Sequence, residues 1–428
     1  MVLIGRASSM EIQQKHIPQL RFPDFQNDGE WEVKRLGEIA EFFKGKGIPK
    51  TESSDKGKTP CVRYGELYTH YKEIIDETQS FTDIPTEELF LSKANDVIIP
   101  SSGETKEDIS TASCVIKDNI ALGGDINVIR TPHNGVFLSY YLNNTKKDEI
   151  AKIAQGVSII HLYNDQLKNL KIALPSIEEQ KKIVDCLTAL DELIAATNGK
   201  LEQLKAYKKS LMQKLFPAKG KKLPELRFKE FEKDGEWEEK ELGAAAKVKS
   251  GYAFRSNTYT QTGRYKIITI SNVKNGYLDL TSNNFVEHLP EDIQPHQILK
   301  KGDILISMTG NVGRVCKVCC DNCLLNQRVG LVDVYSSDVD RNYINTILTS
   351  DWFEKSMIES GQGAAQANIG NKDIEGYRFF CPPTLLEQRK IADSVTSIDE
   401  MINQYTHKVT LLELYKKGLM QQMFPTSK

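Results

Sequence analysis

Few residues in this sequence could do covalent or metal chemistry, and their spacing is unhelpful for it. Four of the eight cysteines crowd into Cys316-Lys-Val-Cys319-Cys320-Asp-Asn-Cys323. Thiolates at CxxC spacing can clamp zinc, but two such pairs normally lie a dozen or more residues apart so that two knuckles can face each other. Here the pairs abut. That arrangement suits a tight hairpin turning at Asp321-Asn322, with the cysteines as small apolar side chains, and no metal site is expected. The seven histidines are scattered, without HExxH or any other ligand pair. There is no Walker-type phosphate loop and no GxGxxG following a strand. Cys381-Pro-Pro-Thr384 has the prolines of an adenine-methylating tetrapeptide but lacks the amide and the aromatic residue that would hold a flipped base. No acidic cluster with a lysine suggests a nuclease. A catalytic role is therefore not expected.

What remains are side chains suited to reading nucleic acid. Arg can hold guanine with two hydrogen bonds, Gln or Asn can do the same to adenine, and Lys more often sets register on phosphates. The candidates are Lys44, Lys46, Arg63 and His161 in one stretch, and Tyr252, Arg255, Arg314, Gln327, Arg328, Gln362 and Gln366 in another. Small residues at two strand ends, Ser101-Ser102-Gly103 and Met308-Thr309-Gly310, would let a backbone approach a ligand closely, which adds Ser101, Ser102 and Thr309.

The elements that must position these residues are written twice. Residues 17–37 and 223–243 agree at 13 of 21 positions, against about one by chance. The correspondence resumes between 154–172 and 361–379, strengthens between 178–194 and 386–402, and ends with 206–217 against 414–425. Between them, 45–153 and 251–360 diverge. Uniform drift would blur every segment, so divergence confined to the middles implies two versions of one job. Buried-strand patterns at 96–100, 127–130, 266–271 and 303–307 make both middles mixed α/β.

Each half closes with a long helix. Ser176 with Glu179, and Thr384 with Glu387, form S/T-x-x-E capping boxes after Pro175 and Pro383. Apolar residues then step by four and three. The first seam is Ile183, Leu187, Leu190, Ile194, Leu201, Leu204, Leu211 and Leu215. The second is Ile391, Val395, Ile398, Ile402, Val409, Leu412, Leu419 and Met423, and the pattern is a sustained heptad stripe. A stripe about 50 Å long must be buried on a partner. The twin helix is the simplest partner, and chain order allows the two to pair along their length only if antiparallel. Lys208 and Lys416 interrupt the seams at matching places and read as stems lying along the coil edge rather than as a register device.

Composition sets wide limits. At 428 residues the chain suits two domains of ordinary size, with 39% hydrophobic and 27% charged residues. A net charge of −2 argues against binding nucleic acid by bulk positive charge alone, so any DNA face must be a local concentration of Lys and Arg. No apolar run is long enough to span a membrane, and the start is too short for a signal peptide, so a cytoplasmic protein without membrane contact is expected. Met10 could also begin the chain, leaving 1–9 as an extension.

The composite pattern resembles the specificity subunits of type I restriction–modification systems. The resemblance rests on Glu30-Trp31-Glu32 with Leu36-Gly37, Glu236-Trp237-Glu238 with Leu242-Gly243, Gly302-Asp303-Ile304-Leu305-Ile306-Ser307, Leu325-Asn326-Gln327, and Leu386-Glu387-Gln388-Arg389-Lys390-Ile391 with its earlier twin. The first half departs from it, with Asn95-Asp96 at the strand start and Leu122-Gly-Gly-Asp-Ile126 in place of the Leu-Asn-Gln run. The resemblance implies an α/β fold of two tandem target-recognition domains, separated by two long antiparallel coiled-coil helices in a pseudo-twofold internal repeat. The boundaries are 1–16 (extension), 17–175 (first domain), 176–217 (first helix), 218–382 (second domain) and 383–428 (second helix and C-terminus). It further implies a non-catalytic subunit that reads a bipartite double-stranded DNA target with a fixed spacer. Two methyltransferase subunits would dock on it for adenine methylation, and restriction subunits would join them. S-adenosylmethionine and ATP would sit on those partners, with no cofactor on this chain. The competing expectations are an enzyme with its own nuclease or methyltransferase activity, and a coiled-coil scaffold with no DNA role.

Overall fold

The computed structural model describes residues 16–156, 159–281, 284–361 and 367–425. The chain divides into two compact units, one made of the residues up to Ala196 together with those from Lys408 on, the other of Thr197–His407. Both divisions fall inside long helices, Ile177–Leu215 and Leu385–Met423. Among the described residues, no helix is long and apolar enough to cross a membrane.

In the first unit a five-stranded sheet runs Glu41–Lys44, Ile126–Arg130, Asp96–Pro100, Ser113–Val115, Ile74–Ile75. Its pairings are antiparallel except the last. The run Val97-Ile98-Ile99 is fully buried because this strand is covered on both faces. Val97 and Ile99 face a core containing Trp31, Phe137 and Leu187, while Ile98 faces Val62, Leu122 and Val128, as period-two alternation requires. A four-stranded sheet, Ala121–Leu122, Thr59–Val62, Ser80–Thr82, Ser53–Ser54, completes the unit's β-structure beside two short strand pairs.

The second unit repeats the plan with Ala246–Ser250, Val329–Val334, Ile304–Ser307 and Val315–Lys317. Ile304 and Ile306 face one core and Leu305 the other. Its second sheet runs Asn284–Val286, Tyr265–Ile268, Cys323–Leu325, Ile298–Leu299. The hairpin anticipated at Asp321-Asn322 does not form. Val315–Lys317 pairs with Ile304–Ser307, whereas Cys323–Leu325 pairs with Tyr265–Ile268 and Ile298–Leu299. The turn, with Asn322 at φ 58°, carries the chain from one sheet to the other. Cys316 and Cys323 are buried, and desolvation pushes both thiols up to about 12. Among the described residues, no group of three or more His, Cys, Asp or Glu side chains is disposed to hold a metal ion.

The repeated segments build the joints between sheets and helices. Glu32–Arg35 pairs antiparallel with Lys171–Leu174, and Glu238–Glu241 pairs with Arg378–Cys381 in the same register. The capping boxes form by half. Glu179 N–H donates to Ser176 Oγ at 3.2 Å and Glu387 N–H to Thr384 Oγ1 at 3.3 Å, but neither carboxylate turns back to its cap. Each instead takes a two-pronged bond from an arginine of the first repeated segment. Arg21 meets Glu179 at 2.8 and 2.7 Å, and Arg227 meets Glu387 at 2.8 and 2.9 Å. An arginine fork satisfies both carboxylate oxygens at once, which a single backbone N–H cannot do, and these carboxylates are 1% and 0% exposed. The pairing holds both guanidinium groups above their ordinary pKa. The glutamines that follow are buried too. Gln180 donates to Pro175 O and accepts from Asn134 N–H, while Gln388 donates to Pro382 O and Asp338 O and accepts from Asp340 N–H.

Of the seam residues, Ile183, Leu187, Leu190, Ile194, Leu201, Leu204, Leu215, Ile391, Val395, Ile398, Val409 and Met423 are buried. Leu211, Ile402, Leu412 and Leu419 are only half-buried, and Met212 and Met420 take the inner place beside Leu211 and Leu419. A straight helix drifts relative to a 3.5-residue repeat, so near each helix end the inward position moves one residue on. In the first unit Ile183 and Leu187 share a core with Met420, Met423 and Phe424; in the second Met212 and Leu215 share one with Ile391, Ala392 and Val395. The two seam lysines are not stems at a coil edge. Lys208 Nζ lies 2.6 Å from Asp399 Oδ1, and Lys416 Nζ lies 2.7 Å from Asp191 Oδ1. Each lysine thus bonds a carboxylate on the other long helix within its own unit.

Candidate nucleic-acid interface

In each unit, three loops at the strand ends are tied together by the same backbone bonds. The glycine that ends the first sheet strand is obligatory, because a Cβ at Gly45 would sit 2.0 Å from Gly123 O, and one at Gly251 would sit 2.2 Å from Asn326 O. The following N–H binds the facing turn, Lys46 to Leu122 O at 3.0 Å and Tyr252 to Leu325 O at 2.8 Å. That turn is held from behind by Gly123 N–H to Val62 O and by Asn326 N–H to Ile268 O. The loop after the central strand then joins, through Ser101 N–H to Asp125 O at 2.7 Å and Met308 N–H to Arg328 O at 3.0 Å. A last segment closes the cluster, with Leu162 N–H on Ser101 O and Ile369 N–H on Met308 O. Ser102 thereby faces His161, and Thr309 faces Asn368.

The framework brings many of the anticipated residues together, in differing states. In the first unit Lys44 and Lys46 are exposed. Arg63 is half-buried and reaches Glu66 at 3.5 Å, so part of its charge is already answered. His161 is half-buried and stacks on the exposed ring of Tyr163, centroids 6.1 Å apart. Ser101 and Ser102 are buried at 5% and 8% exposure, so they contribute a tight backbone rather than presented hydroxyls. Among the described residues the Ser101 hydroxyl has no hydrogen-bond partner.

In the second unit Gln327 and Arg328 stand exposed at the turn, and Arg255 is exposed nearby in sequence to Tyr252. Tyr252 is half-buried, its hydroxyl donating to Asp292 at 2.7 Å, and that bond raises its pKa. Thr309 donates to Asn368 Oδ1 at 3.1 Å. Arg314 lies 3.6 Å from Glu354 and is partly neutralised. Gln362 and Gln366 lie outside the described residues.

Three further residues of the clusters, Asn368, Tyr163 and Asp125, lie outside the candidates the sequence points to. Asn368 is exposed and occupies the place of His161, a correspondence already present in the alignment of 154–172 with 361–379. Tyr163 carried no signal beyond its aromaticity. Asp125 is exposed at the place of Arg328, which laying Leu122-Gly-Gly-Asp on Leu325-Asn-Gln-Arg would have found. Among the described residues, the resulting surfaces expose hydrogen-bond donors and acceptors together with the charged side chains of Lys44, Lys46, Asp125 and Arg328.

Comparison with known proteins agrees with this picture. The family model described as "Type I restriction modification DNA specificity domain" matches residues 28–206 and again 234–413. The chain is 27% identical to the type I restriction enzyme MjaVIII specificity subunit of Methanocaldococcus jannaschii, over 95% of this chain and 93% of that protein. It is 28% identical to the putative MjaX specificity subunit of the same organism, over 91% and 92%. Among solved structures, the S subunit of a type I restriction–modification system from M. genitalium superposes with a TM-score of 0.68 at 16% identity, over 96% of this chain and all of that one, a likeness of fold.

Proposed function

Because the chain belongs to the type I restriction–modification DNA specificity family, as a non-catalytic DNA-recognition subunit, we propose that it reads a bipartite target, each unit contributing one half-site. The observation that carries this reading is the loop cluster built twice on one backbone plan with different side chains exposed on it. Two unlike readers call for two unlike half-sites. The target-recognition domains are 17–175 and 218–382, and the side chains that meet double-stranded DNA come from Lys44, Lys46, His161, Tyr252, Arg255, Thr309, Gln327 and Arg328. Arg63 and Arg314 act through what their acidic neighbours leave uncompensated.

The two long helices would pair antiparallel as a pseudo-twofold coiled coil and set the unread spacer. Supporting this are the mutual lysine–aspartate bonds, Lys416 with Asp191 in one unit and Lys208 with Asp399 in the other. Two methyltransferase subunits carrying S-adenosylmethionine would dock on the helices, and ATP-dependent restriction subunits would join them, all in the cytoplasm. This chain would bind neither cofactor.

The test is to co-express the chain with its methyltransferase subunit and map methylated adenines by single-molecule sequencing. One split motif of fixed spacer supports the reading. A stable complex that methylates nothing, or methyl transfer by this chain alone, overturns it; no complex and no salt-sensitive DNA binding would favour a scaffold. Replacing 45–153 by the segment of a relative should change one half-site and leave the other half-site and the spacer as they were. A changed spacer with both half-sites kept would sink the assignment of roles.

A further inference from the structure

The backbone bonds of the two loop clusters match closely enough that side chains can be compared station by station. Asp125 and Arg328 are the residues whose carbonyls accept from Ser101 N–H and Met308 N–H, and each lies two positions beyond the residue anchored from behind, Gly123 or Asn326. They therefore occupy one station in two copies of the framework, with opposite charge. Both are exposed. Among the described residues neither charged group is engaged by an ion pair, although arginines with acidic neighbours are common elsewhere in the molecule. Asp125 is also held at φ 60°, a left-handed conformation that costs a non-glycine residue something even where aspartate tolerates it best.

A carboxylate in a loop facing a polyanion is repelled by every phosphate, so a favourable contact there must be with a base donor. In the major groove cytosine presents only its N4 amino donor. Adenine sets its N6 donor beside the N7 acceptor, which would face the second carboxylate oxygen. Guanidinium has the reverse preference, and matches guanine O6 and N7. We infer that Asp125 and Arg328 are specificity-determining residues that read opposite members of a G·C pair at equivalent positions of the two half-sites, Asp125 accepting from cytosine N4 and Arg328 donating to guanine O6 and N7. The inference rests on the reading above that these loops face DNA.

The experiment uses the complex of the full chain with its methyltransferase subunit and maps the methylated motif for wild type, Asp125→Gly, Asp125→Asn and Arg328→Ala. Glycine accepts φ 60° without strain, so Asp125→Gly removes the carboxylate without burdening the fold. Asp125→Asn, tolerated at the same φ, keeps an acceptor and supplies a second variant. The expected result is that Asp125→Gly relaxes one cytosine position in one half-site and Arg328→Ala one guanine position in the other. Discrimination at that position should fall at least about fivefold, with the opposite half-site and the spacer unchanged. Asp125→Asn should lose discrimination at the same position and no other. A motif unaltered at every position in both removal variants overturns the inference, as does an Arg328→Ala effect that lowers methylation uniformly across sequences, the mark of a phosphate contact. A wild-type complex without any split motif would fail the reading of function instead, and so is distinguishable.

Discussion

In the first unit Arg21 clasps buried Glu179 at the start of a long helix, and in the second Arg227 clasps buried Glu387. The strand pairs beside them share one register, and the glutamines that follow close the same loops. At the loop clusters four backbone bonds again match, yet Asp125 stands where Arg328 stands, Gly124 where Gln327 stands, and His161 where Asn368 stands. The difference separates two kinds of residue. Those that position are repeated, because a buried ion pair or a close backbone approach tolerates almost no substitute. Those that present themselves outward are free to diverge, because the framework holds whatever side chain is placed on it.

The sharpest way to break this comparison is at the joints. Removing one partner of a buried ion pair leaves an uncompensated charge, and costs about 3–5 kcal/mol. Glu179→Gln and Glu387→Gln should each lower stability on that scale, read by denaturant unfolding with hydrogen exchange to assign the loss to its own unit. The two should not be equal. Trp237 Nε1 donates to Glu387 at 3.3 Å, whereas the buried Trp31 Nε1 has no partner among the described residues. The second substitution therefore weakens one more hydrogen bond and should cost about 1 kcal/mol more. Equal losses would remove the role given to the tryptophan bond.

The next effect tests whether the loop framework is shared. Gly45→Ala and Gly251→Ala each force a methyl group against a carbonyl oxygen, and overpacking of this kind costs about 1–3 kcal/mol. Both should loosen their own loop cluster by similar amounts in hydrogen exchange, while Gly47→Ala, with open space around it, should change little. A silent Gly45→Ala beside a damaging Gly251→Ala would show that the two clusters are not one framework.

Much of this was legible in the sequence. The doubled segments, the two helices and most of their buried stripes follow from repetition and period alone, and the central strands at Asp96–Pro100 and Ile304–Ser307 follow from short β-branched runs. The errors have physical causes. The capping boxes form only by half, because local spacing shows that Glu179 can reach its cap but not that Arg21, 158 positions away, competes better. The cysteine hairpin does not form, because a turn signal does not say which sheet the next strand joins. The small size that marks Ser101 and Ser102 as candidates also lets them be buried. Asp125 gives no signal by itself, because an acidic residue does not suggest DNA until a basic one is found at its twin station.

The smallest expected effect concerns the two lysine–aspartate bonds, which are alike in sequence and unlike in surroundings. Lys416 is 13% exposed and Asp191 25%. Tyr140 adds a hydroxyl donating to Asp191 at 2.5 Å and a ring face 5.1 Å from Lys416 Nζ, and Glu73 lies 3.6 Å from the same ammonium. Lys208 and Asp399 are 23% and 37% exposed, so more of their attraction is screened. Lys416→Met should cost about 1–2 kcal/mol, the scale of a charge-assisted bond supported by an aromatic face. Lys208→Met should cost less than about 1 kcal/mol, as for a partly exposed pair. Salt separates the two further. At ~1 M ionic strength screening acts within about 3 Å, so the Lys208 contribution should nearly vanish while much of the more enclosed Lys416 contribution persists. Measuring both variants in low and high salt decides the point. If Lys208→Met proves the costlier and the less salt-sensitive, then the surroundings do not set the strength of these bonds, and some strain relieved elsewhere on the helices does.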